Sequence, residues 1–180
     1  MQEIELKFQV DEIKAVKSRL KKLGCHFSEV LEQKDTVFVQ NINDTSSEKG
    51  KVFIRIRTVN GKSELNLKKQ SSKLMQSKEI EFKVSSFEST YDFLDTLGLS
   101  EWVTVEKQRI TTEYKNCNIC IDEVKRLGSF IEIEIVTEEE EKTEYYEKEI
   151  LKVAKEIGID IKNRVNSFYD TMINKLDEKK

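Results

Sequence analysis

Acidic and basic side chains recur at two-residue spacing through most of the chain. Glu3, Glu5 and Lys7 alternate with Ile4, Leu6 and Phe8, and Arg55 and Arg57 with Ile54 and Ile56. Glu64, Asn66 and Lys68 alternate with Leu65 and Leu67, and Glu79 and Glu81 with Ile80 and Phe82. Further on, Lys107 and Arg109 share a spacing, as do Cys120 and Asp122, and Glu132 and Glu134 interrupt Ile131, Ile133 and Ile135. Successive side chains of a strand point to opposite faces, so each segment carries one ionic and one apolar face. The ionic positions are almost exclusively carboxylates, Arg and Lys, with few of the Thr, Ser or Gln residues that usually dilute a solvated face. Acids dominate the segments of Glu3 and Glu5, of Glu79 and Glu81 and of Glu132 and Glu134, and bases those of Arg55 and Arg57 and of Lys107 and Arg109. If the ionic faces turn inward on one closed sheet, an acidic wall meets a basic one. Converging Arg and Lys side chains suit a polyanion such as a triphosphate, while paired carboxylates suit a hard divalent cation. Together they would neutralise the charge that develops in phosphoryl transfer. Periodicity alone fits an open sheet with a solvated face equally well, and any one acid–base pair fits an ordinary cross-strand ion pair.

The elements that must position these residues can be read from periodicity and punctuation. Strands are expected over 2–10, 27–40, 51–58, 62–69, 77–84, 102–113, 117–124 and 129–136, with Asn60-Gly61 as a hairpin turn. A helix over 11–23 carries Ile13, Val16, Leu20 and Leu23 on one stripe, with Asp11 as N-cap and Gly24 as its stop. Ser86 caps a second helix over 87–97 that ends at Gly98. A charged helix over 138–158 presents Tyr145, Tyr146, Ile150, Val153 and Ile157 inward, and a last helix covers 164–177. The stretch NINDTSSEKG at 41–50 reads as a polar loop, and Glu138 to Glu141 as a solvated helix start. The implied class is α+β, one domain over 1–180, with the strands in a single antiparallel sheet.

Bulk properties narrow the partners. A net charge of −3 offers no overall basic footprint for nucleic acid or an anionic membrane. Apolar runs of only a few residues exclude a membrane-spanning helix, and Met1 leads directly into a strand with no room for a signal peptide. Cys25, Cys117 and Cys120 are an odd count without a disulfide framework, which points to a reducing cytoplasm. Cys117 and Cys120 form a C-x-x-C, but on a strand positions i and i+3 face opposite ways, so a zinc or redox role is not expected. His26 reads as a turn residue.

These segments together resemble the CYTH, or triphosphate tunnel metalloenzyme, superfamily, which includes class IV adenylyl cyclases, thiamine triphosphatases and inorganic triphosphatases. Glu3-Ile4-Glu5-Leu6-Lys7 resembles its ExExK signature, and Gln33-Lys34-Asp35-Thr36-Val37-Phe38 its Q-x-D-T-Y-F segment. Arg55-Ile56-Arg57, Asn66-Leu67-Lys68, Glu79-Ile80-Glu81 and Lys107-Gln108-Arg109 follow in the family's order. Asp122-Glu123-Val124, with Leu127 through Glu134, resembles the closing D-x-V…LG-x-F-x-E-I-E block, and Asn166 to Tyr169 an S-Y motif.

The resemblance implies an eight-stranded antiparallel β-barrel with a charged interior, flanked by helices. It implies Mg2+ or Mn2+ held by Glu3, Glu5, Asp122, Glu132 and Glu134. Lys7, Arg55, Arg57, Lys68, Lys107 and Arg109 would bind the phosphate chain, with Lys7, Arg57, Lys107 and Arg109 carrying catalysis and Glu79 and Glu81 supporting them. The substrate would be ATP, thiamine triphosphate or inorganic triphosphate, and the protein a cytoplasmic monomer or homodimer. The Cys120–Glu134 block is closest to the class IV adenylyl cyclase group. Lys69-Gln70 stands where that group often has Gly-Pro, and Val37 where an aromatic is common. A triphosphatase is therefore the alternative, and a non-catalytic polyphosphate- or nucleotide-binding module the alternative of another class.

Overall fold

The computed structural model describes residues 2–40, 52–70, 77–138 and 142–178. Nine strands form one antiparallel sheet. They are β1 (Gln2–Gln9), β2 (Leu31–Val39), β3 (Val52–Val59), β4 (Lys62–Gln70), β5 (Ser77–Val84), β6 (Ser100–Tyr114), β7 (Cys117–Val124), β8 (Gly128–Thr137) and β9 (Arg164–Val165). Their order across the sheet is β5-β4-β3-β2-β6-β7-β8-β1-β9. Most neighbours are hairpins. Between β3 and β4, Asn60 and Gly61 both take positive φ (50° and 77°), the pair of left-handed residues that matches a tight turn to strand twist.

The sheet curls without closing. β5 comes back within 8 Å of β1 (Cα to Cα), yet no ladder joins them among the described residues. The full barrel expected from the resemblance is thus left open along this seam. One physical reason is visible: β9 occupies the free edge of β1 at Lys7 and Phe8, so those backbone groups have no bonds left for β5.

Four helices complete the fold: α1 (Ile13–Lys22), α2 (Phe87–Thr96), α3 (Thr143–Glu156) and α4 (Tyr169–Asp177). α1 and α3 cover the convex apolar face of β1, β7 and β8. There Leu6, Phe8, Ile119, Ile131 and Ile133 meet Leu20, Ile150, Ala154 and Ile157, all nearly inaccessible to water. α2 seats Leu94 against Phe38 and Ile56, with Tyr91 edge-on to Phe38 at 5.1 Å. α4 does something else. It lies on the concave side, where Tyr169 and Ile173 pack on Val37, Val103, Val105, Val124 and Phe130. The interior is therefore charged over one part of its length and filled by apolar packing over another.

Several boundaries differ from the expectation. α1 starts after Glu12 rather than Asp11, with no side-chain cap, whereas Ser86 accepts the Ser89 amide at 3.2 Å as its capping role requires. β2 begins at Leu31, not 27. α3 begins at Thr143, and Tyr145 is 56% exposed because the buried stripe runs through Ile150, Val153, Ala154 and Ile157. α4 starts at Tyr169, since Arg164 and Val165 are drawn into the sheet. Loop 41–50 and Glu139 to Glu141 lie outside the described residues. Among the described residues, no helix is long and apolar enough to cross a membrane.

Seating α4 on the concave face has a measurable consequence. Ile173 is 2% exposed, so Ile173→Ala should lower the unfolding free energy by about 2–5 kcal/mol. Phe93→Ala, at a site 59% exposed, should change it by no more than about 0.5 kcal/mol. Denaturant titration of both variants checks this, and a neutral Ile173→Ala would mean that α4 does not pack there.

Candidate functional site

The strand registers bring the charged positions together. Glu5 lies opposite Glu134 and Lys7 opposite Glu132 across β1 and β8. Arg109 lies opposite Asp122 across β6 and β7, and Asp35 opposite Arg57 across β2 and β3. All of these residues point to the concave side. One cleft is lined by Glu3, Glu5, Lys7, Arg55, Arg57, Lys107, Arg109, Glu132 and Glu134, together with Asp35, Phe53, Phe168, Tyr169 and Asp170.

Three ion-paired clusters build the basic wall. Asp35 accepts two hydrogen bonds from Arg57, Nε to Oδ1 and Nη2 to Oδ2, both at 2.9 Å. Arg55 Nη1 lies 3.6 Å from the same carboxylate, and Gln33 donates to both of its oxygens. Burial disfavours the Asp35 charge, but the two guanidiniums outweigh it and hold the carboxyl well below its ordinary range. In the second cluster Asp122, fully buried, takes a bidentate contact from Arg109 and bonds from Lys107 (3.4 Å) and the Tyr169 hydroxyl (3.1 Å). In the third, Glu132 pairs with Lys7 at 3.1 Å and with Arg109. Burial again opposes its charge, and Lys7, Arg109 and Lys107 together drive its pKa well down.

The two lysines differ. Lys7 donates toward the Ser167 carbonyl and stands 3.9 Å from the centre of the Tyr169 ring, a cation–π arrangement. Burial opposes its charge, but Glu132 and Glu5 prevail and raise its pKa. Lys107 is depressed, first by burial and then by the neighbouring Arg109, against the pull of Asp122 and Glu132. Lys7 is a fixed cation, whereas the Lys107 proton is the easier to remove.

On the acidic side, Glu3, Glu5 and Glu134 each present a carboxylate oxygen, all within 4.8 Å of one another. Three hard anionic oxygens at that spacing suit a small divalent cation. Six carboxylates but only five cations line the cleft among the described residues. A polyanion entering alone would meet no net positive charge, so both the donor set and the charge balance fit a bound divalent metal.

The five acids assigned to metal by resemblance divide accordingly. Glu3, Glu5 and Glu134 cluster, while Asp122 and Glu132 are committed to Lys and Arg partners. Glu81 is exposed on β5 and accepts from Asn66 at 3.4 Å rather than lining the cleft. The backbone register sets Lys68 opposite Glu79, and their side chains lie outside what is described. Sequence reasoning assigned no role to Asp35 or to Tyr169. The cysteines lie far from thiolate character, with burial pushing Cys117 up to about 11 and Cys120 higher still.

Known proteins resemble this chain in sequence and in fold. The family model of the CYTH domain matches residues 1–169. The chain belongs to the CYTH domain family. A protein of Methanocaldococcus jannaschii named as a candidate adenylate cyclase is 28% identical over 172 residues, covering 94% of this chain and 97% of its own. A solved Pyrococcus horikoshii structure is 27% identical with a TM-score of 0.80, covering 93% of this chain and 97% of that one. A candidate adenylyl cyclase from Hippeastrum, described as having a dominant triphosphatase activity, shares the fold at 17% identity and TM-score 0.66, covering 98% and 95%. With them, the CYTH assignment rests on the whole chain and not on one motif.

The pairs also set the acid limit of the fold. Asp35 and Glu132 have folded pKa values below their unfolded ones, so the stability they contribute is present at neutral pH and lost as pH falls. The unfolding free energy should decline from about pH 5 toward pH 2. Asp35→Asn should cost about 3–5 kcal/mol at pH 7, by leaving Arg57 buried without its counterion, and should flatten that decline. Equal acid slopes for the variant and wild type would contradict the assignment.

Proposed function

We propose that this CYTH protein is a divalent-metal-dependent enzyme acting on the triphosphate of ATP, in the manner of a class IV adenylyl cyclase. The observation that supports this most directly is the meeting, in one cleft, of the Glu3/Glu5/Glu134 carboxylates with Lys7, Arg55, Arg57, Lys107 and Arg109. Anion binding alone would not require the acids.

Mg2+ or Mn2+ held by Glu3, Glu5 and Glu134 would supply charge neutralisation at the transferring phosphorus. Arg55, Arg57 and Arg109 grip the phosphate chain through the N–H groups not taken by Asp35, Asp122 and Glu132. Because those acids fix the guanidiniums in advance, little reorganisation is needed when negative charge builds up on the leaving oxygen. Lys7, held charged, adds a permanent cation. Burial and the neighbouring Arg109 lower the Lys107 pKa, so of the two lysines it is the one that gives up its proton more readily. In cyclisation the ribose 3′-oxygen attacks the α-phosphorus, its proton leaves and pyrophosphate departs. Phe53 and Phe168 on the cleft wall provide apolar surface against which a base can rest.

Hydrolysis at the terminal phosphorus by water is the second reading, releasing phosphate. Apolar packing by α4 over part of the interior favours it, since an inorganic or short triphosphate needs less room than a correctly threaded nucleotide. Cyclisation demands an in-line 3′-oxygen, whereas hydrolysis needs only a water at the chain end. We place the protein in a reducing cytoplasm, consistent with its three free cysteines.

The deciding experiment offers ATP, thiamine triphosphate and inorganic triphosphate in parallel to the purified protein with Mg2+ or Mn2+. Cyclic AMP and pyrophosphate from ATP are expected, and both should vanish with excess chelator and in Arg57→Ala. Phosphate release without cyclic AMP would establish the triphosphatase reading instead. Tight binding without turnover of any of the three would overturn both in favour of a binding module.

A further inference from the structure

One side chain in this part of the interior belongs neither to the basic wall nor to the acidic trio. Asn118 stands on β7 directly opposite Glu134 on β8, which in turn faces Glu5 on β1, so the three form a single row across neighbouring strands. The Asn118 Nδ2 group donates a hydrogen bond to Oε1 of Glu134. The amide must present its N–H2 side there, because its carbonyl would repel a carboxylate. One row along the strands, both oxygens of Glu132 are engaged by cations, Lys7 and Arg109. Glu134 instead holds one of its oxygens on a neutral donor.

We infer that Asn118 is a positioning residue that makes Glu134 a one-oxygen ligand and thereby sets which divalent cation the trio accepts. This rests on the metal-site reading of Glu3, Glu5 and Glu134 given above. Coordination number separates the two candidate cations. Mg2+ takes six oxygens in tight octahedral geometry and retains waters or substrate oxygens beside one or two carboxylates. Ca2+ takes six to eight oxygens and commonly grips a carboxylate through both of its oxygens. With one lone pair and the orientation of Oε1 committed to Asn118, a two-oxygen grip by Glu134 is disfavoured. The trio would then favour single-oxygen ligation, leaving other positions for water and phosphate. An outer partner of this kind characteristically alters metal affinity by about 10–100-fold when removed.

The test uses the full-length protein without substrate. Binding of Mn2+ is followed by loss of the electron paramagnetic resonance signal of the free aqueous ion, and Mg2+ and Ca2+ are titrated in as competitors. Wild type should be displaced by Mg2+ in preference to Ca2+. In Asn118→Ala, and in Asn118→Leu, which keeps more of the volume, that preference should shift toward Ca2+ by about tenfold. Thermal unfolding of both variants shows whether the fold is retained, and two substitutions guard against one failing to fold. Glu134→Gln is the control that separates the two claims. If it weakens Mn2+ binding while both Asn118 variants keep the wild-type preference, Asn118 only packs and the inference is wrong. If Glu134→Gln leaves Mn2+ binding unchanged, the metal-site reading fails and takes the inference with it.

Discussion

Burying like charges beside one another is possible here only because each cation is paired before any substrate arrives. Asp35 holds Arg57 and Arg55, Asp122 holds Arg109 and Lys107, and Glu132 joins Lys7 to Arg109. Removing such charges from water costs several kcal/mol per ion, and the cost is offset only where geometry and hydrogen bonding are good. The pairs therefore dictate strand register as much as the hydrophobic cores do. They also leave a residue of the opposite kind. Three carboxylates, Glu3, Glu5 and Glu134, converge within 4.8 Å of one another, and Lys7 approaches Glu5 at 3.8 Å. The interior is a preassembled cation array with a deficit at one corner, which a divalent metal would fill.

The position of α4 gives that interior its direction. Tyr169 sits at the joint, its ring under Lys7 and its hydroxyl on Asp122, while Ile173 continues into the apolar packing behind it. Charged and apolar halves of one concave face thus share a side chain. The part that α4 does not fill is where Glu3, Glu134 and the arginines stand.

Much of this was legible in the chain itself. Two-residue alternation assigned Glu3, Glu5, Lys7, Arg55, Arg57, Lys107, Arg109, Glu132 and Glu134 to one face, and that face is the cleft. What alternation cannot supply is register. Asp35 gains its role only when β2 is set beside β3, and Asn118 only when β7 is set beside β8, because neither is tied to its partner by local spacing. Likewise, a helix over 164–177 can be read from the sequence without saying which side of the sheet Tyr169 and Ile173 meet. A signal did exist: Val37-Phe38 and Trp102-Val103 are apolar on both faces, where the other strands are charged on one. Such a pair of double-sided strands needs cover on each side, and α4 is the cover on the inside. The open seam beside β1 was not legible for a related reason, since no pattern within β1 announces that β9 takes its edge.

The central claim is that the cleft binds a polyanion only together with a divalent cation. Isothermal titration of a non-hydrolysable triphosphate analogue into wild-type protein tests it without any turnover. Binding is predicted in the presence of Mg2+ and lost in excess chelator. Equal affinity in both conditions would contradict the account, for it would mean that the five cations of the basic wall suffice alone.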